Sequence, residues 1–434
     1  MYFYNLNDQT HKADFRTAAM NGQAPDKGLY FPERIPILNK EWFSKIENTT
    51  NEEIAYEVIR PYVGNSIPDD ILFSIVKDSI NFPIPLVEVS NQIFSLELYH
   101  GPTLAFKDIG ARFMSQCLGY FLKAHPTGRK LTVLVATSGD TGGAVANSFY
   151  NIEGVNVVIL FPSGKVSAVQ EKQLTTPGNN VHALEVKGNF DDCQQMVKQA
   201  FTDESLRPQL FLTSANSINI ARWLPQQFYY FFAWKQWKEK ELPPVISVPS
   251  GNFGNICAGL LAQASGLPVK HFIAACNSND VIPQYLETQK YIPKKAIPTI
   301  SNAMDVGDPS NFKRILELFK NQFALLGNAI SSCSISDLET KAAIKDVYLE
   351  RNYLLDPHGA VAFLALKDHL LNSPYQKGIF LETAHPVKFS AVVEPLIDEV
   401  IEIPEKIRSL LKKKKLSRTI EPHFESLKEV LLKL

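Results

Sequence analysis

The sequence has few cysteines and almost no net charge. Its five cysteines are widely spaced, odd in number and form no CxxC pair, which argues against a disulfide framework and against a structural zinc site. The histidines show no ligand spacing either, so we expect no bound metal. The 44 Lys and Arg residues balance 45 Asp and Glu residues, leaving a formal net charge of −1. Without an excess of positive charge, we expect no nucleic-acid partner.

Long apolar runs are also missing. No stretch approaches the roughly 18 apolar residues of a membrane span, so we expect no membrane partner. The first residues, Met1–Asn5, lack the basic start and apolar run of a signal peptide. What is present is the composition of a globular protein, 45% hydrophobic and 21% charged over 434 residues. At roughly 150 residues per domain, the length predicts two or three structural units. Together with the composition, the lack of a membrane span and of a signal peptide leads us to expect a cytoplasmic enzyme.

Helical periodicity is the main signal in residues 1–90. Apolar side chains such as Ile54 and Val58 recur at helical spacing, and Pro61 and Pro68 are expected to break the helices. The sequence therefore predicts a small, mostly helical N-terminal domain.

Short apolar runs alternate with helical patterns over residues 91–434. Such runs between helices indicate an α/β fold, with doubly wound, mostly parallel sheets buried on both faces. The predicted strands are Leu131–Ala136, Val155–Phe161, Val181–Val186, Gln209–Thr213, Val245–Val248, Phe272–Ala275 and Gly378–Leu381. In such sheets the ligand lies beyond the carboxyl ends of the strands, so the loops that follow the strands are the place to look for a site.

Two of these loops are rich in glycine: residues 138–143 and residues 249–255. Glycine lets the backbone approach a ligand closely, and the free amides of the following helix can bind an anion. Neither loop has the GxGxxG or GxxxxGK[ST] spacing of the nucleotide-binding motifs. The simpler alternative is that the glycines serve only tight turns and close packing.

Lys107 is predicted to lie at the start of an amphipathic helix. A positive charge is disfavoured there because the helix dipole is positive at its N-terminus, and partial burial would also favour the neutral amine. A neutral amine is a nucleophile toward aldehydes, so Lys107 is a candidate for Schiff-base chemistry. The alternative is a solvated lysine neutralised by Asp108.

Taken together, these segments resemble the threonine synthases, which belong to fold type II of the pyridoxal-phosphate enzymes. The matching segments are Gly28–Pro32, His100–Asp108, Ala136–Gly143, Ser214–Asn219 with Arg222, Pro249–Asn255 and Ser301–Asp305. The resemblance implies a catalytic region of the tryptophan synthase β type, in two subdomains, the smaller and mobile one covering residues 117–205. It also implies pyridoxal 5'-phosphate as the cofactor and a role in threonine biosynthesis.

The resemblance assigns cofactor-binding roles to particular residues. Lys107 would hold the cofactor covalently and then act as general base and acid. Asp140 stands where many relatives carry an Asn beside the cofactor's ring oxygen, and a carboxylate there needs a proton or a different partner. Thr383 would offer its hydroxyl to the pyridine nitrogen. The backbone amides implied in binding the cofactor phosphate are those of Gly251, Asn252, Phe253, Gly254 and Asn255.

The implied substrate is O-phospho-L-homoserine, which would be converted with water to L-threonine and phosphate. Candidates for binding the substrate are Ser138, Thr141, Lys165, Asn216, Ser217, Asn219 and Arg222. For each of them, helix capping or a surface charge is an equally open interpretation. Two other functions stay open: a phospholyase that releases 2-oxobutyrate, and a non-catalytic binding protein of the same fold. The sequence leaves open whether the protein is a monomer or a homodimer.

Overall fold

The computed structural model describes residues 1–126, 128–206, 208–371, 373 and 375–434. The strands are β1 Tyr2–Asn5, β2 Lys12–Asp14, β3 Tyr30–Pro32, β4 Leu86–Ser90, β5 Ile93–Glu97, β6 Leu131–Ala136, β7 Val155–Pro162, β8 Val181–Val186, β9 Phe211–Ser214, β10 Val245–Pro249, β11 His271–Cys276, β12 Ile330–Ser334, β13 Gly378–Glu382 and β14 Ser417–Ile420.

Helices cover both faces of the larger sheets. They are α1 Phe15–Asn21, α2 Lys40–Lys45, α3 Asn51–Val63, α4 Asp69–Ser79, α5 Lys107–Ala124, α6 Asp140–Phe149, α7 Ala168–Thr175, α8 Phe190–Thr202, α9 Ile220–Trp223, α10 Phe228–Gln236, α11 Gly254–Ala264, α12 Val281–Thr288, α13 Phe312–Leu318, α14 Phe323–Ala329, α15 Asp337–Arg351, α16 Pro357–Leu371, α17 Ser390–Ile397, α18 Glu405–Leu411 and α19 Phe424–Leu431. Among the described helices, none is both long enough and apolar enough to cross a membrane.

The N-terminal part combines helices α1–α4 with a small sheet that the helical pattern does not reveal. The sheet has the order β2-β1-β3 and is antiparallel. Helix α3 also differs from the prediction, because it continues through Pro61 and ends only at Val63. Proline removes one helical hydrogen bond. Here buried side chains lie on both sides of Pro61, among them Val58 before it and Tyr62 after it, and keep the helix packed.

A six-stranded sheet forms the larger α/β unit. Its order is β12-β11-β10-β13-β5-β4, and every neighbouring pair is parallel except β4 and β5. The non-sequential order places β10 beside β13 and β13 beside β5. The loops that follow these three strands therefore leave the same edge of the sheet.

A second, five-stranded sheet has the order β14-β8-β7-β6-β9, and all its pairs are parallel. The predicted parallel α/β fold is confirmed: each predicted strand is present, with ends shifted by no more than two residues. Strands β6 and β7 are buried along their whole length, as a sheet covered on both faces requires. The chain reaches the edge strand β14 only near its C-terminus.

Candidate active site

Lys107 is held in place by a short backbone bridge between two loops of the six-stranded sheet. Ala105 and Ala384 form an isolated antiparallel bridge. The Phe106 N–H donates to the Thr383 carbonyl oxygen at 2.9 Å, and the His385 N–H donates to the Leu104 carbonyl oxygen at 3.1 Å. The bridge thus brings Lys107, the first residue of α5, close to Thr383, the first residue after β13.

The side chain of Asp108 does not neutralise Lys107. It is fully buried and accepts hydrogen bonds from the backbone N–H and the hydroxyl of Thr103, at 2.9 Å and 2.6 Å. The same turn brings the Gly101 backbone so close that a Cβ there would lie 2.4 Å from Asp108 Oδ2. Asp108 therefore anchors the loop before α5, and the alternative of a lysine paired with its neighbour does not describe this site.

The surroundings of Lys107 favour the neutral amine. Burial lowers the pKa of Lys107 to about 8; the nearby Asp140 opposes this effect, and the positive charges of Lys388 and Arg222 add to it. The amine also lies 4.5 Å from the centre of the Phe106 ring, so one side of it faces an apolar surface. At neutral pH a useful fraction of this amine is free to attack a carbonyl group or to take up a proton.

The turn between β10 and α11 presents a row of free backbone N–H groups. Within the described part of the chain, the N–H groups of residues 251–255 have no acceptor. Phe253 adopts a left-handed conformation, with φ of 60°, directly before the first turn of α11. Free amides at a helix N-terminus attract an anion. The turn therefore fits a phosphate group.

Neighbouring side chains fix the shape of this turn. Asn252 Oδ1 accepts from the Ser310 N–H at 2.7 Å, and Asn252 Nδ2 donates to Ser217 Oγ at 3.1 Å. Asn311 donates both to Ser217 Oγ and to the Asn252 carbonyl oxygen. Asn255 Nδ2 donates to the Pro249 carbonyl oxygen at 2.8 Å. The side chains of Asn252, Asn255 and Asn311 thus support the turn, and the backbone N–H groups of the turn are left free for a ligand.

The turn of residues 251–255 and Lys107 lie at the same edge of one sheet. Ser247 of β10 pairs with Phe380 of β13, so the residues that follow each strand emerge side by side. Ser250 and Thr383, three residues beyond this pair, are both buried at that edge. The amine of Lys107 and the free amides of residues 251–255 therefore belong to the same edge of this sheet.

Asp140 has a partner that sequence reasoning missed. Its Oδ1 lies 2.6 Å from Nζ of Lys388, which is fully buried, and it accepts from Gln170 Nε2 at 3.0 Å. Burial alone would raise the pKa of Asp140, but Lys388 and Lys107 together hold it below its usual range. The carboxylate is thus ionised. No spacing rule links positions 140 and 388, which come from different sheets.

Three candidate substrate-binding residues follow strands of the five-stranded sheet. Ser138 and Thr141 lie at the start of α6, are partly exposed and are close in sequence to the buried Asp140. Lys165 lies in the loop after β7 and is exposed. Ser138 and Thr141 thus lie at the N-terminal end of α6, next to Asp140 in sequence, whereas Lys165 is at the surface.

Three of the remaining candidates, Asn216, Ser217 and Asn219, lie between β9 and α9, and the fourth, Arg222, lies in α9. Asn219 is fully buried and caps α9, because it accepts from the Ala221 N–H and donates to the carbonyl oxygens of Ala19 and Ser214. Ser217 Oγ accepts from Asn252 and Asn311 and so supports the turn of residues 251–255, and Asn216 is partly buried. Structural roles thus explain Asn219 and Ser217.

Arg222 differs from these residues because one of its donors is unused. Its Nη1 donates to the Ala215 carbonyl oxygen at 2.5 Å, but its Nε is buried and has no hydrogen-bond partner among the described residues. Burial lowers the pKa of Arg222 to about 10, and Asp108 opposes this effect. A buried guanidinium group close to Lys107 is available for an anionic ligand.

A buried carboxylate network behind the site was also missed by the sequence analysis. His358 Nε2 accepts from the Ala303 N–H at 3.2 Å, so its Nδ1 carries the proton shared with Asp356. The Asp356 N–H in turn donates to Glu382 Oε1 at 2.6 Å. Burial and the neighbouring Asp356 raise the pKa of Glu382 well above its usual range. This network links residue 303 to the residue just before Thr383.

Comparisons with protein families cover nearly the whole chain. Residues 81–380 match the family described as pyridoxal-phosphate dependent enzyme, and residues 2–80 match the family described as threonine synthase N terminus. Residues 359–431 match threonine synthase, C-terminal.

Individual relatives agree with these matches. The chain is 44% identical to a threonine synthase of Haemophilus influenzae, with both chains covered completely. The crystal structure of threonine synthase from Escherichia coli superposes with a TM-score of 0.93 at 40% identity, again over all of both chains. The structure titled PLP-bound threonine synthase from Brucella melitensis also gives a TM-score of 0.93, at 33% identity over 100% of this chain and 99% of that one.

Proposed function

The chain belongs to the threonine synthases, pyridoxal-phosphate-dependent enzymes of fold type II, and from this membership we propose that it converts O-phospho-L-homoserine and water to L-threonine and inorganic phosphate. Such an enzyme is a carbon–oxygen lyase that acts on phosphate. One observation carries the proposal. The lysine with the lowered pKa and the row of free amides at residues 251–255 lie at the same edge of one sheet.

Pyridoxal 5'-phosphate is the cofactor of this family, and the residues of the site fit it. Its phosphate would bind the free N–H groups of residues 251–255, and its aldehyde carbon would bind Lys107. Thr383 would offer its hydroxyl to the pyridine nitrogen, and Asp140 would face the ring's hydroxyl side. When bound, the cofactor supplies an electron sink for the charge left on a substrate carbon after proton removal.

Lys107 would move the protons of the reaction. Its pKa of about 8 means that neutral and protonated forms are both populated near neutral pH. The neutral form would take the proton from the substrate Cα, and the protonated form would return a proton later. The overall conversion balances: a proton is also lost from Cβ, phosphate leaves from Cγ, Cγ gains a proton, and the oxygen of water is added at Cβ.

We propose that the leaving phosphate of the substrate binds between the two sheets. Arg222 is the strongest candidate, because its buried Nε lacks a partner among the described residues. Ser138, Thr141 and Asn216 would add neutral donors, and Lys165 would attract the substrate from the surface. Ser217 and Asn219 would act indirectly, since their side chains already serve the turn and the helix cap.

The domain organisation and location remain our proposals. Residues 1–90 would form the N-terminal domain and residues 91–434 the catalytic region. The smaller subdomain, residues 117–205, would move against the rest when substrate binds. We place the enzyme in the cytoplasm, acting on a small molecule and without a nucleic-acid partner.

Product identification tests the proposed reaction. Purified protein with bound cofactor is incubated with O-phospho-L-homoserine, and the organic product is identified by mass spectrometry. We expect L-threonine and phosphate in equal amounts. If 2-oxobutyrate and ammonia dominate, the protein is a phospholyase. If the substrate binds and no product forms, it is a binding protein.

A further inference from the structure

A buried lysine that the proposed reaction does not use carries a charge that acts on Lys107. Lys388 belongs to the turn after β13 and has no exposed surface. Its Nζ lies 2.6 Å from Asp140 Oδ1 and donates to the Thr103 carbonyl oxygen at 2.9 Å. A charged amine is buried this completely only when its partners replace water. Asp140 and Thr103 provide these partners.

Asp140 interacts electrostatically with two lysines, Lys107 and Lys388. It attracts the proton of Lys107, and it is paired directly with Lys388. Gln170 Nε2 donates to the same carboxylate oxygen at 3.0 Å and holds it in place. The carboxylate lies on α6 of the five-stranded sheet, while Lys388 and Lys107 come from the loops of the six-stranded sheet.

We propose that Lys388 is a positioning residue that serves as the counter-ion of Asp140 and so leaves the Lys107 amine free to lose its proton. This inference depends on the proposed function only in taking Lys107 as the amine that must be neutral. The charged groups that act on Lys107 are Asp140, Lys388, Arg222 and Asp356, and its neighbour Asp108 is bound by Thr103. Lys388 is the one of these that also makes a direct ion pair with Asp140.

Replacing Lys388 should change the pKa of Lys107 in a predictable direction. Asp140 would lose its ion-pair partner and Lys107 would lose a nearby positive charge, and both changes raise the pKa of Lys107. The amine would then stay protonated at neutral pH and react more slowly with an aldehyde. Removing Asp140 as well would cancel the stronger of the two changes. In the double variant Asp140→Asn/Lys388→Met, the pKa of Lys107 should therefore return toward its value in the parent protein.

Competitive labelling with acetic anhydride tests this without turnover. The full-length chain, freed of cofactor, is labelled at several values between about pH 6 and pH 10, and the peptide that contains residue 107 is quantified by mass spectrometry. We expect half-maximal labelling of the parent near the pKa of about 8. In Lys388→Met, labelling of Lys107 near pH 7 should fall at least about threefold, since each unit of pKa lowers the neutral fraction about tenfold.

Lys406→Met is the matched control. Lys406 is exposed, and its Nζ also donates to backbone carbonyl oxygens, those of His100 and Gly101 in the loop before Lys107. It makes no contact with Asp140, so the labelling profile of Lys107 should stay that of the parent. Lys388→Gln, which keeps a donor but not the charge, carries the test if Lys388→Met does not fold, as judged by circular dichroism.

An unchanged Lys107 profile in a folded Lys388 variant would overturn the inference. So would a double variant whose profile is shifted as far as that of Lys388→Met. Failure of the parent protein to form threonine would instead contradict the proposed function, because the labelling experiment needs neither substrate nor cofactor.

Discussion

At the scale of single residues, Lys107 acquires its chemistry from groups that are distant in sequence. Its neighbour Asp108 is bound by Thr103, and the charges that reach it come from other loops. The lowered pKa follows from burial first, an effect that a position at a helix start beside apolar residues already suggests. The opposing effects of Asp140 and Lys388 on this pKa cannot be predicted from the sequence, because these residues come together only when the two sheets pack.

Lys107→Ala should abolish turnover and leave the fold intact. Alanine is the best helix former, and Lys107 begins α5 with its side chain only partly exposed. Without the amine there is no group to bind the cofactor covalently or to move the Cα proton. We expect threonine formation to fall by at least about 10³-fold, with the parent's circular dichroism and melting temperature retained.

Lys123→Ala, an exposed lysine in the last turn of the same helix, is the control for this variant and should keep full activity. A Lys107→Ala protein that still forms threonine would remove the catalytic assignment.

At the scale of secondary-structure elements, the turn between β10 and α11 depends on a close backbone approach. A Cβ at Gly251 would lie 2.7 Å from the Met304 Cα and 2.8 Å from the Ala303 carbonyl oxygen. Backbone atoms cannot move away as a flexible side chain can, so the turn itself must shift. The N–H groups of residues 251–255 would then no longer converge on one anion.

Gly251→Ala should therefore weaken cofactor binding. Loss of one hydrogen bond to a charged group costs about 1.5–3 kcal/mol, so we expect the Kd for pyridoxal phosphate to rise about 10-fold to 100-fold. Titration of the cofactor-free protein, followed by the visible absorption of the bound cofactor, measures this change. Gly327→Ala is the control, since a Cβ at Gly327 meets open space. Equal affinities of the two variants would contradict the role of the close approach.

The sequence predicts long elements well and short ones poorly. Strands β6 and β8 have the ends that the sequence predicts. In β6 all six residues are buried, and a short apolar run of this kind is a local signal. The sequence does not predict the small N-terminal sheet: β2 and β3 have three residues each, and β1 pairs with β3 across the intervening helix α1. Pairing of this kind leaves no periodic pattern in any one segment.

At the scale of the whole molecule, the C-terminal segment joins the two large sheets. After α17, which packs on α15, the chain reaches α18, which packs on α7, and then adds β14 to the edge of the five-stranded sheet. Lys415, between α18 and β14, forms ion pairs of 2.7 Å with both Glu171 and Glu185. The run of lysines at residues 412–415 indicates only a solvated helix face, so the ion pairs of Lys415 could not be predicted from the sequence.

Arg314 connects the N-terminal sheet to the cofactor region. It is fully buried, and its guanidinium group donates to the carbonyl oxygens of Tyr30, Ser217 and Ile218 and to Asn311 Oδ1. Its Cζ also lies 4.3 Å from the centre of the Trp223 ring. This one side chain thus links β3 to the residues that support the turn between β10 and α11. The segment Gly28–Pro32 therefore acts at a distance from the reaction, through packing.

Arg314→Met should lower stability and cofactor affinity together. Methionine fills much of the volume, but the buried acceptors lose their donor, which we expect to cost about 3 kcal/mol or more. Asn311 would also be free to turn away from Ser217 and Asn252, so the turn should bind pyridoxal phosphate more weakly. Lys313→Met, the same replacement at the exposed neighbouring position, should change neither the melting temperature nor the Kd. If Arg314→Met lowers the melting temperature but binds the cofactor as tightly as the parent does, the N-terminal sheet is not coupled to the cofactor site through this residue.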